Sequence, residues 1–431
     1  VQSVIVFMGG VSSMTVILLK MSNNCRNMII LFVLVFLWSC SDKPNEPEIV
    51  RSNDIIPQKN IEWISLATTP WPMYHHDPQS TGRSKYFGPK NGLIESIRFE
   101  NCWMTMSSVS IGFNNTAFLP SGEHSNGFFA FDFSGNLKWE TKISSTSTAL
   151  ITSDSLVIIP TLYGDLIAYS HSGDTLWNST INKMYNLGFN IDHLGNIYLI
   201  DIMGGEDYAG ILKVINNSGN LLWSLKDSRI LGSPDAIPSF SPDGKTIYLQ
   251  GSTVSLLAVD IESKNVKWVF GNKILASAPV VDNAGNIFII PGKFGSTEFV
   301  IYSLNDAGKI NWEFKSNTSC LYDNIEPTID WDGNIYFGSD TLYSFTNSGK
   351  LRWVKGLEGN ISSALVCDIN NDIYFGTSAD NIYSFNSDGK ENWIIRNLPF
   401  RTIGSCPAIT SDGKLLFPSW RNAHVSLSII R

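Results

Sequence analysis

The densest run of proton- or metal-handling side chains is His75-His76-Asp77. Adjacent side chains rarely converge on one ion, and the other histidines, His124, His171, His193 and His424, are scattered. The run reads as packing. Asp330-Trp331-Asp332-Gly333-Asn334 places carboxylates at alternate positions as a calcium loop does, but it lacks the bidentate Glu that such a loop needs at its far end. Sister segments put HLGN or NAGN in the same place, so a hairpin turn explains it. Cys102, Cys320, Cys367 and Cys406 are widely spaced, without CxxC or a vicinal pair, so neither zinc nor thiol redox chemistry is indicated and buried free thiols are expected. No GxSxG, P-loop or GxGxxG motif at a strand-to-helix junction occurs. No catalytic residue, metal site or cofactor is assigned.

One residue does carry a chemical expectation. From Met28 to Trp38 the run MIILFVLVFLW is 11 residues long, uncharged, preceded by Arg26 and followed by Ser39-Cys40. It has the layout of a secretory signal and about half the length of a bilayer-spanning helix. Leu37-Trp38-Ser39-Cys40 resembles the lipobox of bacterial lipoproteins, although Trp38 is bulky for its position. The resemblance implies that residues 1–39 are a signal peptide and that Cys40 is diacylated, a durable anchor without a transmembrane helix. Residues 1–20 read as an over-called start, because the chain opens on Val1 and a complete signal could begin at Met21. Residues 40–70, opening with SDKPNEPE after the Cys, read as a flexible tether. The expected location is the outer membrane, on its periplasmic or cell-surface face.

The remaining chain must supply the architecture. With 16% charged and 12% aromatic residues, 34 Gly and 18 Pro, the full sequence is poorly suited to long charged helices, coiled coil or disorder. A net charge of −8 with no Lys/Arg run excludes a sequence-independent nucleic-acid binder. Segments ending in Trp139, Trp177, Trp223, Trp268, Trp312, Trp353 and Trp393 recur at intervals of 38, 46, 45, 44, 41 and 40 residues. That is the period of a propeller or a similar array. Within the units, turns containing Gly lead into alternating apolar strands, as in LGNIYLI from Leu194 and DGNIYFG from Asp332, with a further short strand on either side. Each unit is thus four antiparallel strands. Such a sheet is apolar on both faces and is stable only between copies of itself. An eighth unit starts at Ser405 and stops at Arg431 one strand short, and residues 91–100, with Ile97 where Trp would stand, can supply that strand. The expected fold is all-β, an eight-bladed β-propeller over 71–431 with its ring closed by the N-terminal strand. Seven blades is the alternative if the degenerate first unit is miscounted. The seven Trp are expected to be structural wedges that dock one blade on the next.

The repeat resembles the pyrroloquinoline-quinone-like eight-bladed propellers, whose tryptophan-docking motif runs Ala-x-Asp, Ser/Thr-Gly-Lys, Trp. Blade four keeps Ala258, Asp260, Ser263 and Trp268, with Lys264 in place of Gly. Blades one and two keep Ala130, Asp132 and Ala168 in a loop one residue shorter, and blades five to seven keep Gly-Lys-x-x-Trp with Tyr at the first Ala. Trp71-Pro72-Met73-Tyr74-His75-His76-Asp77, followed by Thr81-Gly82-Arg83-Ser84, is similar to the opening segment of bacterial propellers of this group. One branch of the resemblance, the quinoprotein dehydrogenases, implies a quinone and calcium over the propeller axis and commonly a vicinal disulfide. This chain has no adjacent cysteines and no CxxCH, and nothing of that active site carries over residue by residue. The other branch includes the propeller subunit of the outer-membrane β-barrel assembly machinery and implies a non-catalytic lipoprotein that binds a protein partner through loops on one face. The resulting expectation is a non-enzymatic cell-envelope scaffold for protein partners. The alternatives are a quinone- and calcium-dependent dehydrogenase, or a glycan-binding propeller that stacks sugars on Trp331 and Trp420.

Metabolic labelling with an alkyne fatty acid is expected to mark the native protein and to fail for Cys40→Ala; equal labelling of the two would exclude Cys40 as the acylation site.

Overall fold

The computed structural model describes residues 4–10, 13–19, 55–99, 108–122, 127–180, 189–202, 209–233, 236–275, 277–292, 299–316, 326–401, 404–421 and 424–431. The apolar run ending at Trp38, the lipidation candidate Cys40, and Cys102, His124 and Cys320 lie outside the described residues. The chain separates into two units, Val1–Val50 and Arg51–Arg431. In the first, Val4–Gly10 pairs antiparallel with Ser13–Leu19.

In the second unit the period-2 apolar runs form eight four-stranded antiparallel sheets, the blades of a propeller. Blade four shows the pattern: strand A is Ser239–Phe240, B is Thr246–Gln250, C is Leu256–Asp260 and D is Asn265–Phe270. Strands A and B are wholly buried, whereas D alternates exposed and half-buried residues along the outer rim. Side chains from both faces of the inner strands join hydrophobic clusters that run from blade to blade. Among the described residues the one helical element is the short turn Phe113–Asn115.

Recurring polar residues build the A–B turns. In blades three, five and six an Asp at the end of strand A accepts the amides two and four residues on through Oδ1, and the side-chain amide of the Asn four residues on through Oδ2. These are Asp192, Asp282 and Asp330, each followed by a Gly with positive φ: Gly195, Gly285 and Gly333. The Asp330 carboxylate, which resembled a calcium ligand, is therefore filled by donors, including the Tyr336 hydroxyl at 2.7 Å.

Each Trp sits on strand D opposite a small or β-branched residue of strand C: Ala130, Ala168, Val214, Ala258, Ser303, Ser344 and Ser384 in blades one to seven. A register shift follows that residue in all seven blades. In blades five to seven the residue facing Trp is thus Ser, not the Tyr that motif alignment placed there, because their C–D connection is one residue shorter than that of blade four, on which the alignment was set. The indole then reaches the C–D turn of the next blade. Trp139, Trp268, Trp312 and Trp353 donate Nε1–H to the carbonyls of His171, Asp306, Asn347 and Ser387 at 2.8 to 2.9 Å. Each acceptor lies two residues before a Gly of positive φ that rests on the ring, and a Cβ placed on Gly349 would stand 2.5 Å from Cγ of Trp312. Trp177 meets Gly219 in the same way, Trp223 lies beneath the Lys264 ammonium at 5.7 Å, and Trp393 donates to Pro89.

Blade eight joins the two ends of the ring. Ile94–Phe99 pairs with His424–Ile430, which pairs with Leu415–Arg421, which pairs with Ala408–Ile409. Ile97 docks against Gly135 of blade one as a Trp does elsewhere. Cys367 and Cys406 are buried free thiols.

Gly285 and Gly349 have nearly the same φ, 84° and 85°, but no atom lies within 4 Å of a Cβ built on Gly285. Gly285→Ala is expected to cost about 1 kcal/mol of left-handed strain, and Gly349→Ala about 1 to 3 kcal/mol more from overpacking against the indole. Urea unfolding of both variants checks this, and equal losses would remove the Trp–Gly contact as a determinant.

Candidate functional site

In an up-and-down blade the A–B and C–D turns fall on one face of the ring, and the B–C and D–A connections fall on the other. The ring's interior is occupied by its own chain. Strand A is the inner edge of every blade and would leave unpaired amides facing the axis. Residues 71–82 cover them: the second residue of strand A, Ile111, Ile151, Phe240, Val281, Ile329 or Cys367, donates its N–H to the carbonyl of Trp71, Pro72, Pro78, Gln79, Thr81 or Gly82 respectively. In blade three the Asn190 side-chain amide takes this role toward Pro78. The expected tether over 40–70 is corrected in its last part, since residues 56–67 form an arc over the A–B turns. Ile56 and Gln58 donate to the carbonyls of Asp332 and Trp331, Ala67 donates to Ile151, and buried Trp63 donates to Ile191 while stacking on His193 at 3.7 Å.

Between the arc and the axial segment lies a cleft of about 390 Å³. His76, Asp77, Gln79, Thr81 and Arg83 line it from the axis, and Lys59, Glu62, Trp63 and Thr69 line it from the arc. Arg83 is buried, its Nη atoms reach the carbonyls of Ile329 and Lys59 and the amide oxygen of Asn283, and its guanidinium stands 4.8 Å from the Trp331 ring. Asp77 accepts the amide and hydroxyl of Thr81 and faces His76 Nδ1 at 3.4 Å. Burial pushes its carboxyl up, but the hydrogen bond and charge of His76, the charge of Arg83 and the Thr81 hydroxyl outweigh it, so its pKa lies below the ordinary value. His75 points away from the cleft's chemistry: it is fully buried, with ring nitrogens 2.6 and 2.9 Å from the carbonyls of Ser80 and Leu365. Burial lowers its pKa, and the two carbonyls only partly oppose this. The structure thus brings His76 and Asp77 together with Arg83, but no metal-holding group of three His, Cys, Asp or Glu side chains occurs among the described residues. Trp331 is taken up by packing, its Nε1 donating to Ser84; the side chain of Trp420 lies outside the described residues.

The same face carries most of the exposed apolar surface. Of fourteen large apolar side chains exposed among the described residues, eleven lie here: Ile55, Ile56, Ile64 and Phe87 on the lead-in chain, Leu194 on an A–B turn, and Leu93, Leu137, Leu176, Leu221, Leu222 and Ile310 at or beside the turn-proximal end of a strand D. Only Tyr163, Val269 and Val354 lie elsewhere. Sequence reasoning did not find this asymmetry; the recurring Leu or Ile one or two residues before Trp was its signal.

No protein-family model matches the sequence, and no curated protein matches it. Solved structures do. The quinohemoprotein alcohol dehydrogenase of Comamonas testosteroni superposes with a TM-score of 0.62 at 11% identity, covering 85% of this chain and 81% of that one. BamB of Moraxella catarrhalis gives 0.53 at 14%, covering 79% and 99%, and Sqt1 of Saccharomyces cerevisiae gives 0.58 at 12%, covering 79% and 99%. At these identities the likeness is one of fold alone, a ring of four-stranded antiparallel blades.

Blade seven breaks the turn pattern where the axial segment leaves the ring. Its Asp368 accepts the amides of Asn370, Asp372 and Gly88 and the Tyr374 hydroxyl, but Asp372 stands where the sister turns hold a donating Asn. Burial first, then the Asp372 charge, push the Asp368 carboxyl up to about 6 against the pull of those amides. The folded state therefore holds this proton more tightly than the unfolded chain, and stability falls as pH rises from about 4 to about 6. Asp372→Asn removes the like charge and supplies the missing donor. It is expected to stabilise the ring by about 1 kcal/mol at pH 7.5, with the gain fading as pH falls from about 6 to about 4, as followed by thermal unfolding across pH.

Proposed function

We propose that this protein is a non-catalytic scaffold of the cell envelope, tethered to the outer membrane through Cys40, that docks a protein partner on the face bearing its A–B and C–D turns. The observation that carries this reading is the concentration of eleven of fourteen exposed large apolar side chains on that face. Scattered exposed apolar residues are ordinary, but their segregation to one face is the mark of an interaction surface. Its polar turn tips, among them the Lys264 and Gly349 turns, suit a surface that must stay soluble when unoccupied. The fold likeness to BamB and Sqt1 on one side and to a dehydrogenase on the other is compatible with it, since one fold hosts many functions.

Crosslinking in intact cells followed by affinity capture is expected to recover an envelope protein with the native chain. Recovery is expected to drop at least about tenfold for Ile64→Glu with Leu194→Glu, each of which leaves the core untouched. Capture that survives these changes would move the interface to the opposite face, and dye reduction by the purified protein on addition of quinone and calcium would replace the scaffold reading with a dehydrogenase.

A further inference from the structure

The side chains lining the axial cleft include donors that lack acceptors. Among the described residues, three buried polar atoms of its lining side chains have no hydrogen-bond partner: Gln79 Nε2, Arg83 Nε and Thr69 Oγ1. The first two can only donate, and the third can donate. Two acceptors beside them are engaged elsewhere: Asp77 is held by Thr81 and His76, and the Asn283 side-chain oxygen receives Arg83 and the Lys59 amide. With histidine counted as uncharged, as it is in the chain's net charge of −8, Lys59, Arg83 and Lys85 stand against Glu62 and Asp77 around the cleft and leave a single positive charge, beside which His76 can only add to the positive side. Buried donors without acceptors are costly, and the group that would relieve them is an oxygen-bearing acceptor of opposite charge. The cleft's size suits a small molecule or one inserted side chain.

We infer that the axial cleft between Lys59–Thr69 and His76–Lys85 is a binding site for a carboxylate, carried either by a small free acid or by the acidic side chain of a docked polypeptide. One negative charge matches the one uncompensated positive charge. A phosphate dianion would exceed it and would stand beside Asp77 and Glu62. Trp63 forms part of the same wall, so occupancy would alter an indole already stacked on His193. In its polypeptide form the inference rests on the docking face proposed above, because the cleft opens at the centre of that face; in its free-acid form it stands alone.

The test is calorimetry and thermal unfolding of the purified protein with acetate, succinate and glutamate, against sodium chloride at matched ionic strength and against phosphate. An acidic peptide and its Asn/Gln-substituted counterpart form a second arm. Carboxylate binding with saturable heat, a rise in Tm and a change in Trp fluorescence is the expected result, weakened about fivefold in Gln79→Leu and also in the surface variant Lys59→Ser, which keeps the fold. Binding by free acids identifies a small-molecule ligand, and binding by the acidic peptide alone identifies an inserted side chain. No saturable effect of any carboxylate, an equal effect of phosphate, or undiminished binding by both variants would overturn the inference. Its failure would leave partner capture by the apolar rim unaffected, so the two readings are separable.

Discussion

A sheet that is apolar on both faces has no stable place except between two others, and every other feature of this molecule follows from satisfying that demand all the way round a circle. The inner strands carry fully buried side chains on alternate sides, so each blade supplies half of two interfaces. The Trp–turn contact sets the spacing of those interfaces. An indole of about 150 to 250 Å² fills the gap between rims, its N–H is satisfied by a turn carbonyl, and a Gly leaves room for the ring. Where Trp is absent, Ile97 fills the same wedge, so the position is defined by geometry and not by chemistry at the indole.

Closing the circle solves the blades' faces but creates an inner rim of strand edges. Those edges are where the axial segment earns its place: six amides on six different blades find carbonyls on twelve consecutive residues. The chain changes direction there repeatedly, with positive φ at His75, His76, Ser80 and Gly82. Such a path is stable only because the surrounding ring over-determines it. The cleft is a by-product of this arrangement, since the arc over the turns and the segment along the axis follow different radii.

The fold was legible because its signals are local and repeated: a Gly-bearing turn, period-2 alternation and a Trp, copied often enough to reveal even the missing strand at Ile94–Phe99. What stayed hidden depends on single, long-range contacts. Trp63 lies in a polar stretch and finds its acceptor, Ile191, 128 residues away, so nothing nearby distinguishes the arc from a tether. Gln79 and Arg83 are lone polar residues whose meaning comes from what surrounds them in space. The Tyr-for-Ala assignment in blades five to seven failed for a local reason: their C–D connection is one residue shorter than that of blade four, and a one-residue difference moves the facing position to the neighbouring side chain. The asymmetry of the two faces needed the direction of every strand D before the leucines beside each Trp could be assigned to one side.

Blade eight also imposes an order in time. Glu95 and its ion-pair partner Arg431 are separated by 336 residues, almost the whole ring. At about 5 to 20 residues per second of synthesis, the strand at Ile94 must wait roughly 20 to 70 s for the strand that completes its blade. Through that interval seven blades can assemble side by side while the circle remains an open arc with an apolar flank at each end. The strand His424–Ile430 thus acts as the closing step. Without His424–Ile430 the strand Ile94–Phe99 would have no partner, and the seven other blades would form an open arc with an apolar flank at each end.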